Sequence, residues 1–169
     1  MARPASRGGR HPGQGNASDE TSDAAFEQWP ADVDFGALAG LIGYALRRAQ
    51  IAIYQDFFAT VGTLGFTPQL FAALVLIERN PGLNQSGLGR VMGVNRAAAM
   101  ALVKRLEDLD LVSRVASKAD RRANAVALTA LGKKRLPQLI AAVRDHDARV
   151  SRNLGAQELA NLRRLLGKF

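Results

Sequence analysis

The chain has 169 residues, no cysteine, two histidines and a formal net charge of +8. Without cysteine there are no disulfides, no thiol-based redox sensor and no thiolate metal site, and we expect neither a metal nor a cofactor. A strongly basic chain of this length favours one domain of ordinary size that binds a polyanion such as nucleic acid.

The first 25 residues are rich in glycine, serine, proline and arginine and contain few large apolar side chains. Such a segment buries too little surface to offset its ordering entropy, so we expect a disordered basic tail that either follows DNA phosphates or stays in solvent. No apolar block follows Arg3, Arg7 and Arg10, as a secretory signal would require. No apolar run reaches the roughly 18 residues of a membrane span, so we expect a cytoplasmic protein without a membrane partner.

Apolar side chains keep helical spacing from residue 35 to residue 64, which predicts one long helix. About 30 residues would form a rod of about 45 Å, too long to bury on one small core, and we expect it to pack on a partner chain as well. Thr67 and Pro68 are suited to start the next helix, as a capping hydroxyl followed by a proline in the first turn. The Asn-Pro-Gly sequence at residues 80–82 ends that helix.

Two short helices joined by a tight turn are predicted at residues 84–92 and 95–109. Gly93 lies between them, where the turn needs a residue that tolerates a positive φ. Asn95 is suited to cap the second helix with its side chain. The apolar stripe expected on the second helix consists of Ala99, Leu102, Leu106 and Leu109. The opposite face is then free to meet a partner.

Two strand-like runs follow at residues 111–116 and 125–128, with a polar, basic tip between them at residues 117–122. Helix, turn, helix and basic hairpin in this order are the layout of a winged helix-turn-helix. Residues 84–135 contain eleven basic and four acidic side chains and so hold most of the excess positive charge. This part of the chain is therefore the predicted DNA-binding unit.

The C-terminal part predicts two more helices, a long one from Thr129 to about residue 153 and a shorter one after Gly155. Pro137 should bend the long helix because proline removes a backbone donor. The terminal helices carry more apolar surface than a helix-turn-helix alone can cover, which predicts a symmetric dimer. The predicted fold is mainly α (α+β), with a winged helix-turn-helix lobe at residues 67–129 between dimerisation helices at residues 26–66 and 130–169.

The wing and the start of the following helix carry a family resemblance. Residues 120–132 read Asp-Arg-Arg-Ala-Asn-Ala-Val-Ala-Leu-Thr-Ala-Leu-Gly. This stretch looks like the Asp-x-Arg element and the Leu-Thr-x-x-Gly helix start of the MarR family of winged-helix regulators. Residues 102–107 and 111–114 are similar to the end of that family's recognition helix and to its first wing strand. The resemblance extends from about residue 35 to the C-terminus.

The resemblance implies a homodimer with interlocked terminal helices that represses nearby genes at a pseudo-palindromic operator until a small ligand binds. It also implies that Arg122 enters the minor groove and that Asp120 holds it through an ion pair, since a narrow groove attracts a guanidinium. The predicted DNA-binding residues are Asn95, Arg96, Ala97, Met100, Lys104, Arg114, Lys118, Asp120, Arg121 and Arg122. Gly87 and Gly89 depart from the family, which usually has better helix formers there, and indicate a locally soft lobe.

The family's usual ligand pocket lies among the first two helices and the start of the long C-terminal helix. The predicted effector-binding residues are Tyr44, Arg47, Arg48, Ile51, Tyr54, Phe58 and Phe71. Two arginines near aromatic rings favour an aromatic carboxylate or its coenzyme A thioester, and thus a role in aromatic compound catabolism. Alternatively, the tyrosines are core or dimer contacts and the arginines form a solvated face. His146 is interpreted as an ordinary residue of the dimer helix rather than as a sensor.

Two functions remain open from the sequence. The first is a ligand-responsive transcriptional repressor. The second is an architectural DNA-binding protein without a ligand switch, for which the basic tail and the net charge would suffice. An enzyme is not predicted, because the sequence has no catalytic constellation and no glycine-rich phosphate loop after a strand.

Overall fold

The computed structural model describes residues 29–116 and 124–169, which form six α-helices and a two-stranded sheet. The helices are α1 (Ile42–Thr60), α2 (Pro68–Arg79), α3 (Gln85–Met92), α4 (Arg96–Asp108), α5 (Ala130–Val150) and α6 (Ala156–Leu166). The strands β1 (Val112–Ala116) and β2 (Asn124–Leu128) are antiparallel, with Val112 opposite Leu128. The predicted class, mainly helical with a winged helix-turn-helix, is confirmed.

No single helix in these two ranges has both the length and the apolar character of a membrane span. By length and composition alone, one pair does so jointly, formed by residues 42–64 and by α2, and it is bent by 65°.

The helix predicted at residues 35–64 is wrong in length. The α-helix α1 has 19 residues, between the 3₁₀ turns Gly36–Gly40 and Val61–Leu64. Gly36 has a φ of +49°, and Gly65 ends the second turn with a φ of +82°. Because glycine costs about 1 kcal/mol against alanine inside a helix, the glycine-rich entry does not continue the α-helix. The rod is therefore about 28 Å long instead of about 45 Å.

The predicted helix starts are confirmed by their caps. The Thr67 hydroxyl accepts from Leu70 N at 3.2 Å at the start of α2. The Asn84 and Asn95 side chains accept from backbone amides at 2.8 Å and 2.9 Å at the starts of α3 and α4. These bonds satisfy amides that have no partner within the helix. Gly93 has the expected positive φ, at +66°, in the turn between α3 and α4.

The core lies among all of α1 to α5 and the sheet, and most of its buried residues come from α2, α4, the sheet and α5. On α4 the fully buried residues are Ala99, Val103 and Leu106, whereas Leu102 and Leu109 are half-buried. The predicted stripe was therefore shifted. Val103 was missed because apolar residues spaced by three and by four positions fit two neighbouring stripes on the helix surface equally well. On α2, Leu74 and Ile77 are buried, while Phe71 and Val75 pack at the edge of the core.

The two helices of the helix-turn-helix cross closely at Gly89. A Cβ atom at this position would lie 3.1 Å from Ala99 Cβ and 3.3 Å from the Val94 carbonyl oxygen. Both distances are shorter than ordinary van der Waals contact. Glycine has a low helix propensity, but because it lacks a Cβ atom it allows α3 to approach α4 closely here.

The end of α4, the start of β1 and the start of α5 are joined by backbone contacts, which we call the Leu111–Gly132 joint. Thr129 Oγ1 donates to the Asp110 carbonyl at 2.6 Å, and Thr129 N donates to the Leu111 carbonyl at 3.0 Å. Gly132 N in turn donates to Thr129 Oγ1 at 3.0 Å. A Cβ atom at Gly132 would overlap the Leu111 carbonyl oxygen and lie 3.0 Å from its carbonyl carbon. The joint therefore requires glycine for lack of space, although its φ is not positive.

The substitution Gly132→Ala should destabilise the protein by about 1–3 kcal/mol, because α5 must move away from the Leu111 carbonyl. The measurement is the free energy of unfolding from urea titrations followed by circular dichroism. The matched control is Gly43→Ala in the first turn of α1, where an added Cβ meets no atom within 4 Å. The control should be neutral or stabilising, since alanine is the better helix former. If the two variants were equally stable, the joint would not limit the position of α5.

Candidate DNA interface and effector pocket

The five predicted DNA-contact residues of the α4 region are all exposed. They are Asn95, Arg96, Ala97, Met100 and Lys104. Met100 is 53% exposed, a high value for a large apolar side chain in the middle of a helix. One face of α4 packs in the core and the other offers polar, cationic and apolar contacts, as a recognition helix requires.

The cations near α4 differ in their intramolecular partners. Lys104 Nζ lies 3.2 Å from Asp108 Oδ1. Arg114 Nε donates to Glu107 Oε1 at 3.0 Å, and its Nη2 lies 3.5 Å from Gln85 Oε1. Arg96 has no hydrogen bond or ion pair to any residue in the described ranges.

Arg96 can therefore bind a phosphate or a base edge without first breaking an ion pair within those ranges. The side-chain oxygen of Asn95 is engaged in the helix cap, which leaves its amide NH₂ group as a donor.

Four predicted DNA-contact residues, Lys118, Asp120, Arg121 and Arg122, lie outside the described residues. The ion pair between Asp120 and Arg122 and the entry of Arg122 into the minor groove remain predictions.

A cavity of about 540 Å³ lies between α1, α2 and α5, and we call it the α1–α2–α5 cavity. Its lining consists of Ile53, Tyr54, Phe57, Pro68, Phe71, Ala72, Val75, Ile140, Val143, Arg144, His146 and Asp147. The walls are mostly apolar and aromatic, and the charged side chains all come from the second half of α5. Arg144 makes no hydrogen bond or ion pair with the other described residues. The cavity therefore combines an apolar interior with a cation that has not been neutralised by a close partner.

The predicted effector residues do not form one pocket within the chain. Tyr54 and Phe71 line the α1–α2–α5 cavity. Phe58 packs edge-on against Tyr54 at 6.1 Å but is 49% exposed. Arg47 Nη1 donates to Gln50 Oε1 at 3.1 Å on the exposed face of α1. Ile51 is half-buried and does not belong to the lining.

Tyr44 and Arg48 belong to a second cluster at the N-terminal end of α1. The Arg48 guanidinium lies 5.9 Å from the Trp29 ring, 5.4 Å from the Phe35 ring and 5.9 Å from the Tyr44 ring. The Trp29 ring meets the Tyr44 ring edge-on at 6.0 Å, so the segment before α1 is packed onto the helix. Ten residues of helix place Tyr44 about 15 Å from Tyr54 along the axis, too far for one small ligand to touch both.

Sequence reasoning missed a polar cluster that links α1 to α5, formed by Asp56, His146 and Arg149. His146 Nδ1 lies 2.7 Å from Asp56 Oδ1, and Arg149 makes two bonds to the same carboxylate, at 2.9 Å and 3.2 Å. His146 is only 5% exposed, and its ring meets Phe57 edge-on at 5.2 Å. A sequence signal existed, because His146 follows Leu139 by seven residues, on the stripe of α5 that packs in the core.

The Asp56 carboxylate is held in its charged form. The hydrogen bonds from Arg149 and then from His146 lower the pKa of Asp56 from 3.8 to about 2. Since an ionised carboxylate can only accept, His146 Nδ1 carries the proton that it shares with Asp56. The same carboxylate raises the pKa of Arg149. The cluster is thus a charged clamp between the two helices, at the wall of the α1–α2–α5 cavity.

Together, the helix-turn-helix, the two-stranded wing and the exposed face of α4 define a winged-helix DNA-binding protein. The sequence profile of the MarR family matches residues 64–123. A putative transcriptional regulatory protein for the hcr operon of Thauera aromatica is 37% identical over 140 residues, covering 82% of this chain and 84% of that protein. The chain belongs to the MarR family of transcriptional regulators.

Solved structures agree with this assignment. The transcriptional repressor CouR bound to a 23-mer DNA duplex is 32% identical, with a TM-score of 0.76 over 82% of this chain and 98% of that one. The Mycobacterium tuberculosis MarR family protein Rv2887, in complex with salicylic acid, is also 32% identical. Its TM-score is 0.60 over 76% of this chain and 95% of that one. These relatives are DNA-binding regulators, and none of these similarities is to an enzyme.

The clamp predicts a specific acid sensitivity. The folded-state pKa of Asp56 lies below its ordinary value, so its contribution to stability is complete above about pH 4 and is lost as the pH falls towards 2. The full pKa shift corresponds to about 2 kcal/mol of folding free energy. Because the Asp56 side chain is 30% exposed, we expect the charge to stabilise the folded protein by about 1 kcal/mol at neutral pH.

The test compares Asp56→Asn with the unmodified protein in urea titrations between pH 2 and pH 7. The variant should be less stable at pH 7, and the difference should shrink between pH 4 and pH 2. Asp32→Asn is the control, because Asp32 is exposed and has no hydrogen-bond or ion-pair partner within the described ranges. A stability difference that did not change with pH would contradict the role of the charge.

Proposed function

We propose that the protein is a dimeric transcriptional repressor that binds a pseudo-palindromic operator and is released by a small aromatic acid. The observation that carries the proposal is the division of α4 into a buried face and an exposed face with Arg96 available for DNA. The described relatives support it, since one is a repressor bound to a DNA duplex and another is a complex with salicylic acid.

In this proposal α4 enters the major groove. Arg96 and the Asn95 amide supply hydrogen bonds to base edges or phosphates, while the Ala97 methyl and the Met100 side chain meet thymine methyl groups. Arg122 at the wing reaches the adjacent minor groove, as the family resemblance implies. One α4 alone would contact only a short run of base pairs. A twofold dimer doubles the length of DNA that is contacted and makes the site symmetric.

The apolar surface at both ends of the chain supports a dimer. The most exposed large apolar side chains there include Leu41, Ile42, Leu162, Leu165, Leu166 and Phe169. No residue of α6 is buried, although its leucines recur at helical spacing. A face of this kind is unfavourable in water, and a symmetric partner would cover it by presenting the same face.

The α1–α2–α5 cavity is the proposed effector site. An aromatic ring would lie among Tyr54, Phe57 and Phe71, and its carboxylate would pair with Arg144. The nearby Asp147 disfavours a second negative charge, so we expect a monocarboxylate or a thioester whose remaining charges lie outside the cavity. A ligand bound there would contact His146, which is part of the Asp56 clamp, and would thereby change the angle between α1 and α5.

The DNA-reading proposal predicts that Arg96→Ala and Arg122→Ala each weaken operator binding by about 1–3 kcal/mol without unfolding the protein. Fluorescence anisotropy with a labelled promoter duplex measures the affinity, and circular dichroism measures folding. Arg79→Ala is the matched control, because Arg79 is an exposed arginine at the far end of α2. Unchanged affinity in both variants would rule out the α4 and wing assignments.

Competition with unrelated DNA separates a repressor from an architectural protein. A repressor should prefer its own promoter by roughly 10³-fold or more, whereas an architectural protein would bind both duplexes alike.

The effector proposal predicts that salicylate raises the melting temperature and weakens operator binding. Arg144→Gln should lower the apparent affinity for salicylate about tenfold, because it removes a charge-assisted hydrogen bond. Arg152→Gln is the control, since Arg152 is an exposed arginine outside the cavity. If no aromatic acid changed either the melting temperature or the DNA affinity, the architectural alternative would be favoured.

A further inference from the structure

A second cavity lies behind the wing, away from the α1–α2–α5 cavity, and we call it the wing cavity. Its volume is about 610 Å³, compared with about 540 Å³ for the α1–α2–α5 cavity. Its lining includes Glu78, Ala116, Ala125, Ala127 and Lys133. It is thus formed by the end of α2, the turn that follows, both wing strands and the first turn of α5. It shares no residue with the α1–α2–α5 cavity.

The two wing strands contribute small side chains to the lining of the wing cavity. Three of the strand residues in its lining, Ala116, Ala125 and Ala127, are alanines. Strands usually carry β-branched or aromatic side chains, which would fill this space. The cavity therefore has apolar walls and room for an aromatic ring system, as small-molecule sites usually do.

Two charged residues lie at the cavity, and they are not equivalent. Glu78 Oε2 is 3.9 Å from Arg79 Nε, so part of its charge is balanced. Lys133 has no hydrogen-bond or ion-pair partner for its side chain among the described residues. It also lies near the N-terminus of α5, where the helix dipole disfavours a cation and favours an anion. An anionic group beside Lys133 would be stabilised by both the lysine and the helix, while Glu78 would disfavour a second negative charge.

We propose that the wing cavity is a second ligand-binding site, which takes an apolar aromatic monocarboxylate with its ring against the strand alanines and its carboxylate at Lys133. The site is independent of the proposed effector cavity and of the repressor function. Its occupant contacts both strands that carry the wing, as well as the first turn of α5 next to the Leu111–Gly132 joint.

The test uses the full chain with carbon-13-labelled alanine methyl groups and titrates it with 1-naphthoate. The methyl groups of Ala125 and Ala127 report on the wing cavity, and that of Ala72 reports on the α1–α2–α5 cavity. Saturable shifts of the two strand methyls are expected, with a dissociation constant that can differ from that of the Ala72 shift. An absence of saturable shifts at both strand methyls would overturn the proposal.

Charge recognition is tested by Lys133→Gln with Lys134→Gln as the matched control, since Lys134 is the next residue of α5 and is not part of the lining. Lys133→Gln should weaken the naphthoate affinity reported by the strand methyls about two- to fivefold, and Lys134→Gln should leave it unchanged. The neutral analogue 1-naphthamide should bind both variants equally. Equal naphthoate affinity of the two variants would overturn the assignment of Lys133.

The volume of the site is tested by Ala127→Leu, whose larger side chain occupies part of the wing cavity. Saturable naphthoate shifts of the Ala125 methyl should be lost, while an unchanged circular dichroism spectrum and melting temperature show that the variant is folded. Retention of the Ala125 shifts at unchanged affinity would contradict the proposed location.

Discussion

The contact between Gly132 and the Leu111 carbonyl fixes the relation between the DNA-reading lobe and the long helix α5. Leu111 follows α4 and leads directly into the first wing strand, so its carbonyl marks the point where α4 and the wing meet. Thr129 bonds the backbone on both sides of this point and caps α5 at the same time. Any tilt of α5 near its start must therefore move the base of the wing, because the backbones of Gly132 and Leu111 are in direct contact and no flexible side chain lies between them.

The same helix lines the α1–α2–α5 cavity, the proposed effector site, near its other end. From Gly132 to His146 is about 21 Å of continuous helix. At that distance the Asp56 clamp ties α5 to α1, and His146 and Arg144 form part of the cavity wall. One helix thus contacts the wing base near one end and the wall of the α1–α2–α5 cavity near the other. A ligand that binds two orientations of α5 unequally would shift the position of the wing, which is the physical requirement for coupling two sites.

The features that could be predicted from sequence are those set by local chemistry. Thr67 and Asn95 cap helices through their own side chains, and Gly93 adopts the conformation that few other residues accept. The length of α1 was overestimated, because apolar periodicity continues through glycines that stop the α-helix. The candidate effector residues separated into two clusters because helical spacing does not show which parts of one helix meet other elements. The Asp56 clamp joins residues 90 positions apart, and although the position of His146 on the buried stripe of α5 was visible in the sequence, no local pattern identified Asp56 as its partner.

The joint has a practical consequence for changing which DNA sequence the protein reads. It is built from main-chain atoms and one threonine, while the outward face of α4 at Arg96, Ala97 and Met100 takes no part in holding the lobe together. In the proposed DNA-reading role of α4, new side chains on this surface would change the base-pair preference and leave the scaffold intact. If the proposed ligand response holds, the chain is a suitable starting point for engineered biosensors in which the promoter and the inducer are altered separately.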